Sequence, residues 1–174
     1  HLISLVGSTV TAMDGTQAII VISEIKRALA IANSATPGGN GHAMVLDIAR
    51  DAVMDIAQNR NEYLFNLTLQ EIADTVAPAI TAAAIYYGTG VLTISTSEIV
   101  DITPASRVNL SKIKVINYDP TSSTAGASFD LVGANVAEVD QQSISITFTE
   151  AQRVAAIEFS GTSGGDSVPI QVNV

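Results

Sequence analysis

The sequence predicts an all-β protein made of antiparallel β-sandwich repeats with short helical turns. Three observations carry this. Most of the chain alternates apolar with polar residues, rich in β-branched types and punctuated by Gly, Pro and Asp, which is the pattern of strands in an antiparallel sandwich. A Ser/Thr-Gly-Gly turn running into an alternating apolar stretch is written twice, as SATPGGNGHAMVLDI at 34–48 and SGTSGGDSVPIQVNV at 160–174. The chain also aligns with itself, without a gap, at an offset of 126 residues.

In that register fourteen of 48 aligned positions are identical: 5, 6, 7, 10, 14, 20, 24, 27, 30, 31, 34, 36, 38 and 39 match 131, 132, 133, 136, 140, 146, 150, 153, 156, 157, 160, 162, 164 and 165. Most other pairs keep their apolar or polar character, as with Ile3 and Phe129 or Leu46 and Val172, which is how duplicated packing units diverge. Residues 1–73 are then the C-terminal part of one repeat and 74–174 the N-terminal part of the next.

Each element follows from local pattern. In the second repeat, strands are expected at Ala79–Tyr87, Val91–Ser97, Lys112–Asn117, Ser128–Val132, Ser143–Thr149 and Pro169–Val174, with a turn at 88–90 and a loop at 119–126. In the first, the strands are Ile3–Val6, Gln17–Ser23, Ala43–Ile48 and Phe65–Glu71. SEIKRALAI (23–31) and TEAQRVAAI (149–157) read as short helical turns bridging the sheets. Ser23 and Thr149 are placed as N-caps ahead of an acid, and Thr149 with Gln152 has capping-box spacing. Residues 45–60 have an alternative helical reading, because Asp47, Asp51 and Asp55 recur every four residues; strand to about Ile48 followed by helical turns or a loop is favoured.

Composition narrows the function. The chain has 174 residues, 47% of them apolar, enough for a sizeable core. Eight Lys and Arg against 17 Asp and Glu give a net charge of −9, which disfavours nucleic acid and anionic membrane surfaces. Without cysteine there is neither a disulfide framework nor a thiolate metal site. The longest apolar run, VAPAITAAAIYYG, is interrupted by proline and shorter than the roughly 20 residues a membrane helix needs. The first residues lack the basic segment of a signal peptide, and His1 implies a start further upstream.

Catalytic motifs are missing. The only histidines, His1 and His42, sit in no recognisable nucleophile or zinc pattern, and GGNG at 38–41 has a strand rather than a helix after it, so it reads as a positive-φ turn and not a phosphate loop. A calcium site is one reading of the acidic groups: Asp55 and Asn59 precede the last strand of one repeat, and Asp74, Glu98 and Asp101 open the next, offering the oxygen ligands that Ca²⁺ requires. The other reading makes Asp55 and Asn59 turn caps and leaves the rest in solvent. Asn66-Leu67-Thr68 and Asn109-Leu110-Ser111 are glycosylation sequons.

ADTVAPAI (73–80), GVLTISTSEIVD (90–101), TEAQRVAAI with its Gly-Gly turn, and DAVMDIAQN (51–59) together resemble the bacterial immunoglobulin-like repeats of large secreted and surface proteins. The resemblance implies an immunoglobulin-like sandwich serving as spacer, adhesin arm or fibre subunit at the cell surface or outside the cell. Gln58 stands where such repeats have glycine.

A chain that begins and ends in mid-repeat leaves 74–174 without a closing strand. Open edges are avoided and are satisfied by strand addition. Phe65, Leu67, Leu69 and Glu71, or the wider segment 49–72, are therefore expected to complete the second repeat of a neighbouring copy, building a head-to-tail filament. The partners are thus copies of the chain, or adjacent repeats of one longer chain. A ligand- or carbohydrate-binding module and a capsid or surface-layer shell protein are the alternatives.

Overall fold

The computed structural model describes residues 2–11, 14–117 and 126–173. The chain divides into two compact units, His1–Ala77 and Pro78–Val174.

In the first unit β1 (Thr9–Val10) pairs antiparallel with β2 (Ile20–Val21), and α1 (Glu24–Ala32) follows. β3 (Val45–Ile48) then pairs antiparallel with β4 (Leu64–Thr68). Ser23 is the N-cap of α1 but makes no side-chain capping bond. Between β3 and β4 the chain turns twice on left-handed residues, Asp51 at φ 64° and Gln58 at φ 69°, with a lone antiparallel bridge from Met54 to Arg60. These turns replace the helical alternative for 45–60. Gln58 holds the conformation that favours glycine, the residue that the resemblance places there.

The second unit carries a four-stranded antiparallel sheet in the order β5 (Ile80–Tyr86), β6 (Val91–Val100), β10 (Gln141–Thr147), β9 (Asn135–Val136). A three-stranded sheet runs in the order β11 (Ile170–Asn173), β7 (Lys114–Asn117), β8 (Ser128–Asp130). Alternate residues of β6, namely Leu92, Ile94 and Thr96, are buried, as a half-buried strand requires. Leu92 and Ile94 join Val115, Leu131, Val136, Ile146, Phe148 and Ala156 in a single apolar core fed by strands of both sheets. Each buried Val, Leu, Ile or Phe among them contributes about 1.5–3 kcal/mol of burial free energy. α2 (Glu150–Glu158) lies between β10 and β11, and its Ala156 is in the core. Its start is a full capping box: Gln152 N–H donates to the Thr149 hydroxyl, and the Gln152 side chain accepts from Thr149 N–H at 2.9 Å.

Among the described residues the molecule is therefore mostly strands in small antiparallel sheets, with two nine-residue α-helices and two short 3-10 turns. Two expected strands of the first unit differ. Ile3–Val6 is not a strand; the chain turns there, with Ser8 N–H donating to Leu5 carbonyl. Gln17–Ser23 shrinks to Ile20–Val21. Both have counterparts that find a neighbouring strand in the second unit, β8 against β7 and β10 against β6, whereas neither strand has such a neighbour among the described residues of the first. The loop at 119–126 lies, apart from Gly126, outside the described residues.

Candidate functional site

The Gly-Gly turns explain themselves geometrically. A Cβ on Gly39 would sit 2.2 Å from the Ser34 carbonyl oxygen, and one on Gly165 2.0 Å from that of Ser160, so only glycine fits at either. The preceding glycines hold the same positive φ, 90° at Gly38 and 96° at Gly164. Buried Ser34 and Ser160 tie each turn to the end of its helix: their hydroxyls donate to Ile31 and Ile157 carbonyls at 2.8 and 2.7 Å, and accept from Thr36 and Thr162 N–H.

The correspondence extends through the whole segment. Thr9 and Val10 face Val21 and Ile20, as Asn135 and Val136 face Thr147 and Ile146. Gly7 and Gly133 sit at φ 81° and 88°. Arg27 binds Glu24, as Arg153 binds Glu150. Lys26 donates to Val6 carbonyl, and Gln152, at the counterpart position, donates to Val132 carbonyl. One motif of hydrogen bonds is thus laid down twice, 126 residues apart, including at positions whose residues differ.

What covers the motif is not the same. Leu131, Val136 and Ile146 are 0%, 6% and 0% exposed, whereas Leu5, Val10 and Ile20 are 38%, 58% and 46% exposed. In the second unit β6 lies along β10, with Leu92 opposite Ile146 and Ile94 opposite Ile144, and Asp140 accepts from Ile102 and Thr103 N–H at 2.8 and 3.1 Å. Arg153 reaches the β5–β6 connection, donating to Tyr87 carbonyl at 3.2 Å. Among the described residues of the first unit, β2 has only β1 beside it, and Asp14, the counterpart of Asp140, receives no such pair of main-chain donors. Arg27 pairs instead with Asp74. The first copy therefore presents an open apolar face, Leu5, Val10 and Ile20, whose counterparts the second copy buries.

The opposite asymmetry holds at the last strand. β4 lies on β3 in register Val45 with Thr68 and Leu46 with Leu67, but β11, whose residues 171–173 are counterparts of 45–47, has among the described residues a neighbour on one side only. Of the strand-exchange residues, Phe65 and Leu67 lie in β4, with Phe65 stacked on Tyr63 at 4.0 Å. Leu69 N–H reaches Met44 carbonyl, and the Glu71 carboxylate accepts from Ala35 N–H at 3.0 Å and Met44 N–H at 3.1 Å.

The acidic candidates have local partners. Asn59 donates to Asp55 through its main chain at 2.7 Å and its side chain at 2.9 Å, and these bonds hold the Asp55 carboxyl below its ordinary range. Val76 N–H and the Arg27 guanidinium do the same for Asp74. Asp101 is ion-paired with Arg107, and Glu98 lies in β6. Among the described residues, no three His, Cys, Asp or Glu gather into a group that could hold a metal ion. Asn66 is exposed in β4, its N–H bonded to Asp47 at 2.8 Å. The Asn109 side chain accepts from Ser111, the third residue of its own sequon, through both N–H and hydroxyl. Among the described residues no helix is long and apolar enough to cross a membrane.

The role of Asp140 was not read from the sequence, although its identity with Asp14 in the repeat alignment was the signal. Comparison with protein-family models, curated proteins and solved structures finds no match.

Proposed function

We propose that the chain is a structural repeat unit of an extracellular or cell-surface assembly, its domains immunoglobulin-like sandwiches completed by segments of neighbouring repeats. The supporting observation is the open face of the first copy: the residues buried at 131, 136 and 146 are kept apolar at 5, 10 and 20 yet stand exposed. If β4 pairs with β11 as it does with its counterpart β3, two four-stranded sheets result, β5-β6-β10-β9 and β8-β7-β11-β4, an architecture suited to a sandwich. Strand complementation between repeats would then give an extended, head-to-tail array serving as spacer, adhesin arm or fibre. No catalytic role is proposed.

Electron microscopy of the purified material, paired with the intact mass of the denatured natural polypeptide, tests this. Filaments of a short chain, or a polypeptide several repeats long, support it. Discrete particles of a single short chain contradict it.

A further inference from the structure

This inference rests on the repeat reading above and concerns the other open element, the edge of β11. The geometry points to a strand-acceptor site there, whose occupant is the Leu64–Glu71 segment of another copy of the repeat, latched by its glutamate.

The first unit shows what the latch does. β4 adds to β3 through ordinary antiparallel pairing, and beyond its end one carboxylate spans two main-chain donors. Ala35 N–H belongs to the residue after buried Ser34 in the Gly-Gly turn; Met44 N–H stands at the entrance of β3. Glu71 thereby fixes the strand to the turn that positions it, and charge-assisted bonds of this kind are stronger than neutral ones.

Both donors recur. Their counterparts are Gly161, after buried Ser160 in a turn of the same geometry, and Ile170, at the start of β11. Among the described residues no carboxylate accepts from either, and Gly161 N–H has no acceptor. In an antiparallel strand successive residues direct their main-chain groups to opposite sides. Met44 turns both of its groups toward the β4 side, so Ile170 and Val172 turn theirs to the free side of β11. A third contact transfers as well: Asp47 accepts from Asn66 N–H where the register shifts, and Asn173 at the counterpart position carries a side-chain carbonyl able to accept. The acceptor thus has, among the described residues, an unpaired edge, counterparts of both main-chain donors that hold Glu71, and a side-chain acceptor for the irregular residue. A generic apolar strand matches only the first; the β4 segment matches all three.

The test adds a synthetic peptide of residues 62–73 to the full chain and follows residue-resolved hydrogen exchange with titration calorimetry. Slowed exchange at Gly161, Ile170 and Val172 is expected, with a Glu71→Gln peptide of the same apolar pattern binding about tenfold or more weakly, since two bonds to a charged acceptor are lost. Absence of binding would overturn the site. So would equal binding of the Gln peptide, or protection confined to Ala35, Met44 and Leu46, which would mean that the peptide only displaces β4. If the peptide docks on β11 while microscopy and mass show a lone short chain, the acceptor site stands and the assembly reading falls.

Discussion

The same 48-residue motif occupies two environments in one chain. At 128–173 it is walled in by β6 and β7 and supplies Leu131, Val136 and Ile146 to a closed core; at 2–48 the strand pairing, salt bridge and glycine turn persist while the apolar side chains lie open. The motif's hydrogen bonds are thus local and self-sufficient, whereas its burial comes from a segment of the kind found at 80–117. Secondary structure is written in the motif; stability is delivered by what covers it.

Substitution at matched positions breaks the comparison most sharply. Ile146→Ala removes a fully buried side chain opposite Leu92 and is expected to cost about 3–4 kcal/mol, while Ile20→Ala costs less than about 1 kcal/mol, as read by denaturant unfolding of each variant. Equal losses would mean that the first copy's face is covered in solution. Alanine at the glycine turn should instead hurt both copies alike: Gly165→Ala and Gly39→Ala each drive a Cβ into a carbonyl oxygen, for about 2 kcal/mol of destabilisation apiece.

Smaller effects follow from the helix starts. Thr149→Ala dismantles a capping box and is expected to cost about 1 kcal/mol, whereas Ser23→Ala, with no capping bond to lose, should move α1 by a few tenths at most, measured by thermal melts. Smallest is the response to acid. The Glu150 carboxyl is held below its ordinary range by its hydrogen bonds from Arg153, and Asp74 by Val76 N–H and then Arg27. A folded pKa below the unfolded one means that each contribution is present at neutral pH and is lost as pH falls through the folded value. Carboxyl titration by NMR should show Glu150 returning to the ordinary range in Arg153→Ala, but Asp74 staying depressed in Arg27→Ala, because the Val76 N–H remains.

Much of this was legible in sequence where the signal was local. The helix starts at 24 and 150, the glycine turns and the strands near 80–86, 91–97 and 143–147 follow from capping residues, glycines and alternation. The two missed strands share one cause. Ile3–Val6 and Gln17–Ala18 have the alternation of strands, but a strand also needs a neighbour to take its main-chain bonds, and periodicity says nothing about whether one is present. The four-residue spacing of Asp47, Asp51 and Asp55 left a helix open as an alternative to the favoured strand and loop; left-handed Asp51 and Gln58, which no pattern of polarity reveals, turn the chain instead. The acidic candidates were visible as residue types only; the partners that occupy them, Asn59, Arg27 and Arg107, became clear from the fold.

The most direct measurement of the central claim supplies the missing cover. Fusing a second copy of residues 75–126 directly ahead of residue 1 places it in the 126-residue register, and residue-resolved hydrogen exchange is compared with that of the original chain. Amides at 8–11 and 19–22 are expected to become as protected as their counterparts at 134–137 and 145–148, with loss of dye binding to exposed apolar surface. Unchanged exchange at these amides, in a fusion whose second unit remains folded, would contradict it.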